Sequence, residues 1–437
     1  MPRSLAPLED ESLVGYVLRL AHRLGASPHE IAARTDLLAR TPKGVLSVFT
    51  HRFLHTLAPR QAQALAQAAR LTPAEVQGLL LAPFGLRYGP LDGTLTKTRD
   101  PNSVAVNNRW VYFGRSRYCP QCLAGDASGI QQLHGGSWRR LWRLPVTFIC
   151  LKHRCLLRTR CPACGQPAQA TLHPGNLLAR PAEVDLHPLQ CRSPQVPGNP
   201  QSPVCGARFD RARSSPDQAP DPQTLHALLQ LQQRLTNLLV AEGHDTTLSV
   251  GWSIPTGHYF MDLRALAPLI LLTWPESRHL AATPALARTV DTEAHRCHEE
   301  YRTRRANQGK QNPSRTFTDP PDDPLLTGAV LGIAEHFLAS ANEEAAFEAL
   351  HPLIQRSLDF NPLLSYYLRT TRPSSAPLHW TLYVDRRHGR RSTPPSRAEK
   401  IRERSGIIRP WHEWPVTERR TAISPDPEHA QPRESAR

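Results

Sequence analysis

Between Phe148 and Gly165 the chain reads FICLKHRCLLRTRCPACG, which brings Cys150, His153, Cys155, Cys161 and Cys164 into one short stretch. Thiols and an imidazole this close can hold one metal ion, share two, or pair as disulfides. Nine cysteines occur in 437 residues, and eight of them fall between Cys119 and Cys205, with two C-x-x-C pairs, CPQC and CPAC. The chain starts MPRSLAPLEDESL, with acids where a secretory signal would be apolar. Its longest apolar run, ALAPLILLTW, is too short for a bilayer span and reads as a core helix containing Pro268. A cytoplasmic location is expected, and in a reducing compartment clustered cysteines serve as metal ligands rather than as disulfides.

Zinc takes four thiolate or imidazole ligands in a tetrahedron, and a C-x-x-C or C-x-x-H turn supplies two of them. Three such turns are present: Cys119/Cys122, Cys150/His153 and Cys161/Cys164. The fourth half-site falls to Cys191 and Cys205, the latter followed by Gly206. Sequential pairing then gives two zinc ions, one on Cys119, Cys122, Cys150 and His153, the other on Cys161, Cys164, Cys191 and Cys205. Cys155 is left over and reads as a small buried apolar residue on a short strand. His173 and His187 stand as reserve ligands for the second site. Closed sites of this kind fold a module, with apparent binding free energies on the order of 10–16 kcal/mol. The deaminase pattern H-x-E followed by P-C-x-x-C is absent, because the only H-x-E, His298 to Glu300, comes after the cysteines. No enzymatic role is expected.

The same region is basic. Net charge is +15 overall, and from Pro101 to Arg180 eleven Lys and Arg face one acid, Asp126. A polyanion partner such as DNA follows from that excess. The candidate contacts are Arg115, Arg117, Arg139, Arg140, Arg143, Lys152, Arg154, Arg158 and Arg160, interleaved with Tyr112, Phe113, Tyr118, Trp138 and Trp142. Cations reach phosphates, whereas the aromatics either stack on bases or pack the ribbon.

Helices must hold these groups in place. ESLVGYVLRLAHRLG carries Leu13, Val17, Leu20 and Leu24 on one face, and Ser27-Pro28-His29-Glu30 and Thr72-Pro73-Ala74-Glu75 read as capping boxes with Pro at the first helical position. Residues Pro59 to Leu81 read as helix, short turn, helix, the outline of a DNA-reading unit and equally of a generic helical hairpin. The second helix has almost no basic side chains, which favours protein contact. Four regions are expected: residues 1–100, helical and helix-turn-helix-like; 101–215, a double zinc-ribbon region; 222–380, all α-helical; and 381–437, a basic, partly disordered tail. The fold class is mainly α with small zinc-ribbon β elements.

The order of these features, DESLVGYVLRLAHRLG, then YCPQC, then WRRLWRLPVTFICLKHRCLLRTRCPACG, then Cys-Gly and YFMDLRALAPLI, resembles the TniQ family. These are target-selection proteins of bacterial transposons, a group that includes the TnsD proteins. The resemblance covers roughly residues 5 to 275. It implies a non-enzymatic, nucleoid-associated adaptor that engages target DNA or a DNA-bound complex and recruits an AAA+ ATPase. It also implies transposase or a guide-RNA complex as further partners, and a homodimer. No G-x-x-x-x-G-K-[ST] signature occurs, so the ATPase would be a separate protein. The rival expectation is a zinc-ribbon DNA-binding regulator unconnected with transposition.

Overall fold

A computed structural model describes residues 5–38, 49–96, 109–169, 177–196, 199, 201–212, 220–241, 243, 245–307, 315–370, 374–385 and 390–391. His173 and nearly all of the expected basic tail lie outside them. The described residues are mainly helical, with a few short antiparallel strand pairs.

Helix α1 (Leu13–Leu24) starts where the Ser12 hydroxyl accepts from the Gly15 N–H and ends at Gly25, whose φ of 62° a side chain would strain. Leu13 to Ala21 are all buried, so α1 is a core helix rather than a surface one, but Leu24, expected on its inward face, is exposed at the helix end. Helix α2 (Pro28–Arg34) keeps the Ser27 cap, but the Glu30 carboxylate turns to Arg34 at 2.6 Å. The hairpin of α3 (Pro59–Ala69) and α4 (Pro73–Gly78) forms as the sequence suggests. At its turn Thr72 and Glu75 exchange bonds of 3.1 and 2.8 Å.

In the C-terminal half the apolar helix α8 (Thr256–Thr273), which contains Pro268, is buried almost throughout. Around it pack α9 (Pro284–Ala306), α10 (Pro324–Leu338) and α11 (Glu343–Phe360). Before α8 come α7 (Pro222–Val240) and a hairpin of β3 (Thr246–Ser249) and β4 (Trp252–Pro255), so this half is not purely helical. Helix α9 carries many charges, yet its buried Leu286, Val290, Ala294, Cys297 and Tyr301 recur at helical spacing and fix one face against the core.

One apolar core runs from Leu5 through α1, the residues before Cys150, and α7 to α11. A second, smaller core gathers Tyr118, Trp138, Trp142, Leu157, Leu189 and Phe209 with the clustered cysteines. The segment Val146–Ile149 joins the two. The Gln232 carboxamide on α7 accepts from the N–H of Phe148 (2.8 Å) and Ile149 (3.2 Å) and donates to the Val146 carbonyl. On α10, Gly328 lets Leu228 and Phe148 approach, since a Cβ there would stand 2.3 Å from Leu228.

Candidate metal centres and basic face

Cys119 caps helix α5 (Pro120–Ala124), which carries Cys122 in its first turn. Cys150 ends β1 (Ile149–Cys150), His153 lies in the turn, and β2 (Cys155–Leu156) returns antiparallel. The His153 Nδ1 stands 3.4, 3.2 and 3.5 Å from the Sγ atoms of Cys119, Cys122 and Cys150, and Cys122 and Cys150 are 3.6 Å apart. A tetrahedron with metal–sulfur bonds near 2.3 Å and metal–nitrogen bonds near 2.0 Å has edges of about 3.5–3.8 Å. The four donors therefore have the spacing of a closed metal site.

The second cluster joins Cys161, Cys164, Cys191 and Cys205, with Sγ separations of 3.9 Å (Cys161–Cys205) and 3.7 Å (Cys164–Cys191). The long Cys191–Cys205 connection does not hinder it. Antiparallel bridges Gln190↔Arg208 and Pro194↔Val204 fold the connection back on itself, and the Gly206 N–H bonds to the Cys191 carbonyl at 3.0 Å. Gly165 and Gly206 follow the last cysteine of each half-site at φ 66° and 69°, the left-handed turn that a side chain resists. Both quartets can hold a metal ion. His187 stays out of the second one, accepting at Nδ1 from the Leu189 N–H.

Cys155 packs against the small core as expected, but only in part. It is half-exposed, with its Sγ 3.7 Å from that of Cys119. Position, not residue type, makes the difference: in the hairpin register Cys155 lies opposite Cys150, and side chains of directly opposed residues share a face.

The nine cations do not share one surface. Arg117 is buried and donates to the carbonyls of Pro145, Thr147, Pro321 and Asp322 and to the Thr327 hydroxyl, at 2.7–3.2 Å. Burial pushes its pKa down to about 9, which leaves it charged at neutral pH. Arg143, also buried, donates to the Gly114 carbonyl and the Gln169 side chain. Arg115 pairs with Asp322, Arg139 with Glu9, and Arg140 with Asp10. Arg117 and Arg143 are tied into the fold, while Arg115, Arg139 and Arg140 are partly buried and paired with acids. Glu9 and Asp10 ahead of α1 are thus the partners of Arg139 and Arg140, whereas Glu11 pairs with the buried Arg19, and backbone bonds from Ser12 N–H to the Trp138 carbonyl (2.8 Å) and from Arg140 N–H to the Asp10 carbonyl (2.9 Å) close the strap. Opposite charge runs far apart in sequence were the one available signal.

Lys152, Arg154 and Arg160 are exposed and Arg158 is half-buried, all on the β1–β2 hairpin and the segment that leads to Cys161. Arg160 also donates to the Gly165 carbonyl at 2.9 Å. The aromatics Tyr112, Phe113, Tyr118, Trp138 and Trp142 are all buried, Tyr112 in the large core and Tyr118, Trp138 and Trp142 in the small one, so they pack the protein and do not present faces for stacking on bases.

The sequence of the first 157 residues carries a further finding. The family model TniQ matches residues 2–157. Over those residues the chain is similar to the TniQ family. TniQ proteins are a transposon-associated target-selection family. The match takes in the LEDES strap, α1 and the whole first cluster, and it ends before Cys161. The second cluster and the C-terminal helices lie beyond the matched TniQ residues. A comparison with curated proteins finds no match. Among the described residues, no helix is long and apolar enough to cross a membrane.

Proposed function

We propose that this chain is a non-enzymatic target-selection adaptor of a bacterial transposon, with one zinc ion on each cysteine cluster. It engages target DNA or a DNA-bound complex and recruits a separate AAA+ ATPase, which calls in the transposase. The TniQ match over residues 2–157 carries this reading. The donor spacing supports the ions. Cys119, Cys122, Cys150 and His153 would hold the first, Cys161, Cys164, Cys191 and Cys205 the second, and bound zinc would supply folding free energy to a region whose own core is small.

The chain's own residues do the rest. Arg117 joins the cysteine region to the C-terminal helices, and the strap fixes α1 against Trp138. Lys152, Arg154, Arg158 and Arg160 offer positive charge for phosphates beside the first cluster. Two tests decide the matter. Metal analysis of protein purified without chelator should give two zinc ions per chain. The ATPase should associate with target DNA only when this protein is present, and association unchanged by its omission would overturn the adaptor reading. DNA binding without recruitment would favour a regulator instead.

A further inference from the structure

The first cluster contains five donors, one more than a tetrahedral ion takes. Three, Cys119, Cys122 and Cys150, are buried, while His153 and Cys155 are half-exposed on the hairpin. Two independent features aim Cys155 at this site. Its backbone is the register partner of Cys150, so both side chains leave the same face of the hairpin. Its Sγ is 3.7 Å from the Cys119 Sγ, one tetrahedral edge away, and matches the 3.6 Å between Cys122 and Cys150. Burial in an apolar core would ask for neither.

We propose that Cys155 is a standby donor of the first centre, which takes the coordination position of His153 when the imidazole is absent. The proposal rests on the reading that this cluster holds an ion. With the imidazole in place the donor set is three thiolates and one nitrogen, and with Cys155 in its stead it is four thiolates, a set that zinc accepts equally. The hairpin then keeps its ion after losing its only non-sulfur ligand. His153 sits in the short turn between the strands, where its removal leaves the register of Cys150 and Cys155 intact.

Cobalt(II) is the probe, because thiolate-to-cobalt charge-transfer absorbance grows with the number of bound thiolates. The unaltered protein, loaded with cobalt at both centres, should show seven thiolates per chain, and iodoacetamide should label Cys155. His153→Ala should still bind two ions per chain, with charge-transfer absorbance about one seventh higher, as expected for one added thiolate, and Cys155 should be protected from label. Cys155→Ser should keep both ions and the unaltered spectrum, whereas the double variant His153→Ala/Cys155→Ser should lose one ion. A His153→Ala protein that loses an ion or precipitates as the double variant does would overturn the proposal. So would protection of Cys155 in the unaltered chain, which would make it a resident ligand. An unaltered chain that binds a single cobalt with four thiolates, the second centre's set, would remove the underlying metal reading, a result distinct from either of these.

Discussion

Arg117 shows how one side chain can serve the fold where its type suggests a ligand contact. Its guanidinium spans two stretches of chain, Pro145–Thr147 beside the first cluster and Pro321–Thr327 at the start of α10. Arg117→Met would leave the buried Pro145 and Thr147 carbonyls without a donor, whereas the Pro321 carbonyl keeps the Thr327 hydroxyl and Asp322 is exposed. At roughly 1–3 kcal/mol for each unsatisfied group, a loss of about 2 kcal/mol or more is expected. Urea unfolding of the zinc-loaded protein should register it, and a change under about 1 kcal/mol, the ordinary size for a surface substitution, would show that Arg117 is not the connector. Arg117→Lys should recover little, because a lysine cannot fan two nitrogens toward separate acceptors.

Among the elements, α1, α6 (Gly129–His134) and the approach to Cys191 meet at three imidazoles. His22 and His134 face each other through Nδ1 atoms 2.8 Å apart, and the His187 ring centre lies 4.9 Å from that of His22. Burial lowers the pKa of all three, to about 4 for His187, with Arg208 pressing in the same direction on His22 and His187 and Arg19 and Arg23 on His134. Asp185, near His22, and Asp210, near His187, oppose it. The rings are therefore neutral at pH 7, and one Nδ1–H can donate to the other Nδ1. The folded state binds fewer protons than the unfolded one between about pH 6.5 and 4, so stability is complete above that window and falls as pH drops through it. His187→Gln should flatten this fall. Melting temperature followed across the window in both proteins is the check, and parallel curves would show that His187 does not contribute.

For the molecule as a whole, the basic excess divides between a structural set and an exposed one. Lys152, Arg154 and Arg160 remain on the surface beside the first cluster. Replacing these three with Ala should weaken DNA binding and flatten the slope of log K against log salt by up to about 2.7, at about 0.9 for each phosphate that is no longer neutralised. Zinc content should be unchanged, since none of the three is a ligand. Replacing Arg139, Arg140 and Arg143 should instead lower stability, because the largely buried Asp10 then has no cation beside it and the Gly114 carbonyl has no donor. An unchanged salt slope in the first triple variant would remove the hairpin from the DNA-binding surface. Chelation should act on the whole: stripping zinc should unfold the cysteine region and release Val146–Ile149 from its clamp on Gln232.

Local pattern was enough for the features that depend on neighbours in sequence. The C-x-x-C and C-x-x-H turns and the Thr72/Glu75 cap were legible because their partners lie three or four residues apart. The grouping of half-sites into quartets was legible too, since each turn needs a second one and few were on offer. What was not legible depended on the other half of the molecule. Nothing near Arg117 in sequence says that its acceptors include Pro321 and Asp322, and nothing near Arg140 names Asp10 as its partner. Charge counted along the chain gave one basic face, but the packed chain buries two of its nine cations, Arg117 and Arg143, and pairs Arg115, Arg139 and Arg140 with acids. Cys155 falls between these cases: its residue type allowed ligation, its sequence position argued for a core, and the register of a two-residue strand pair put it beside the metal donors.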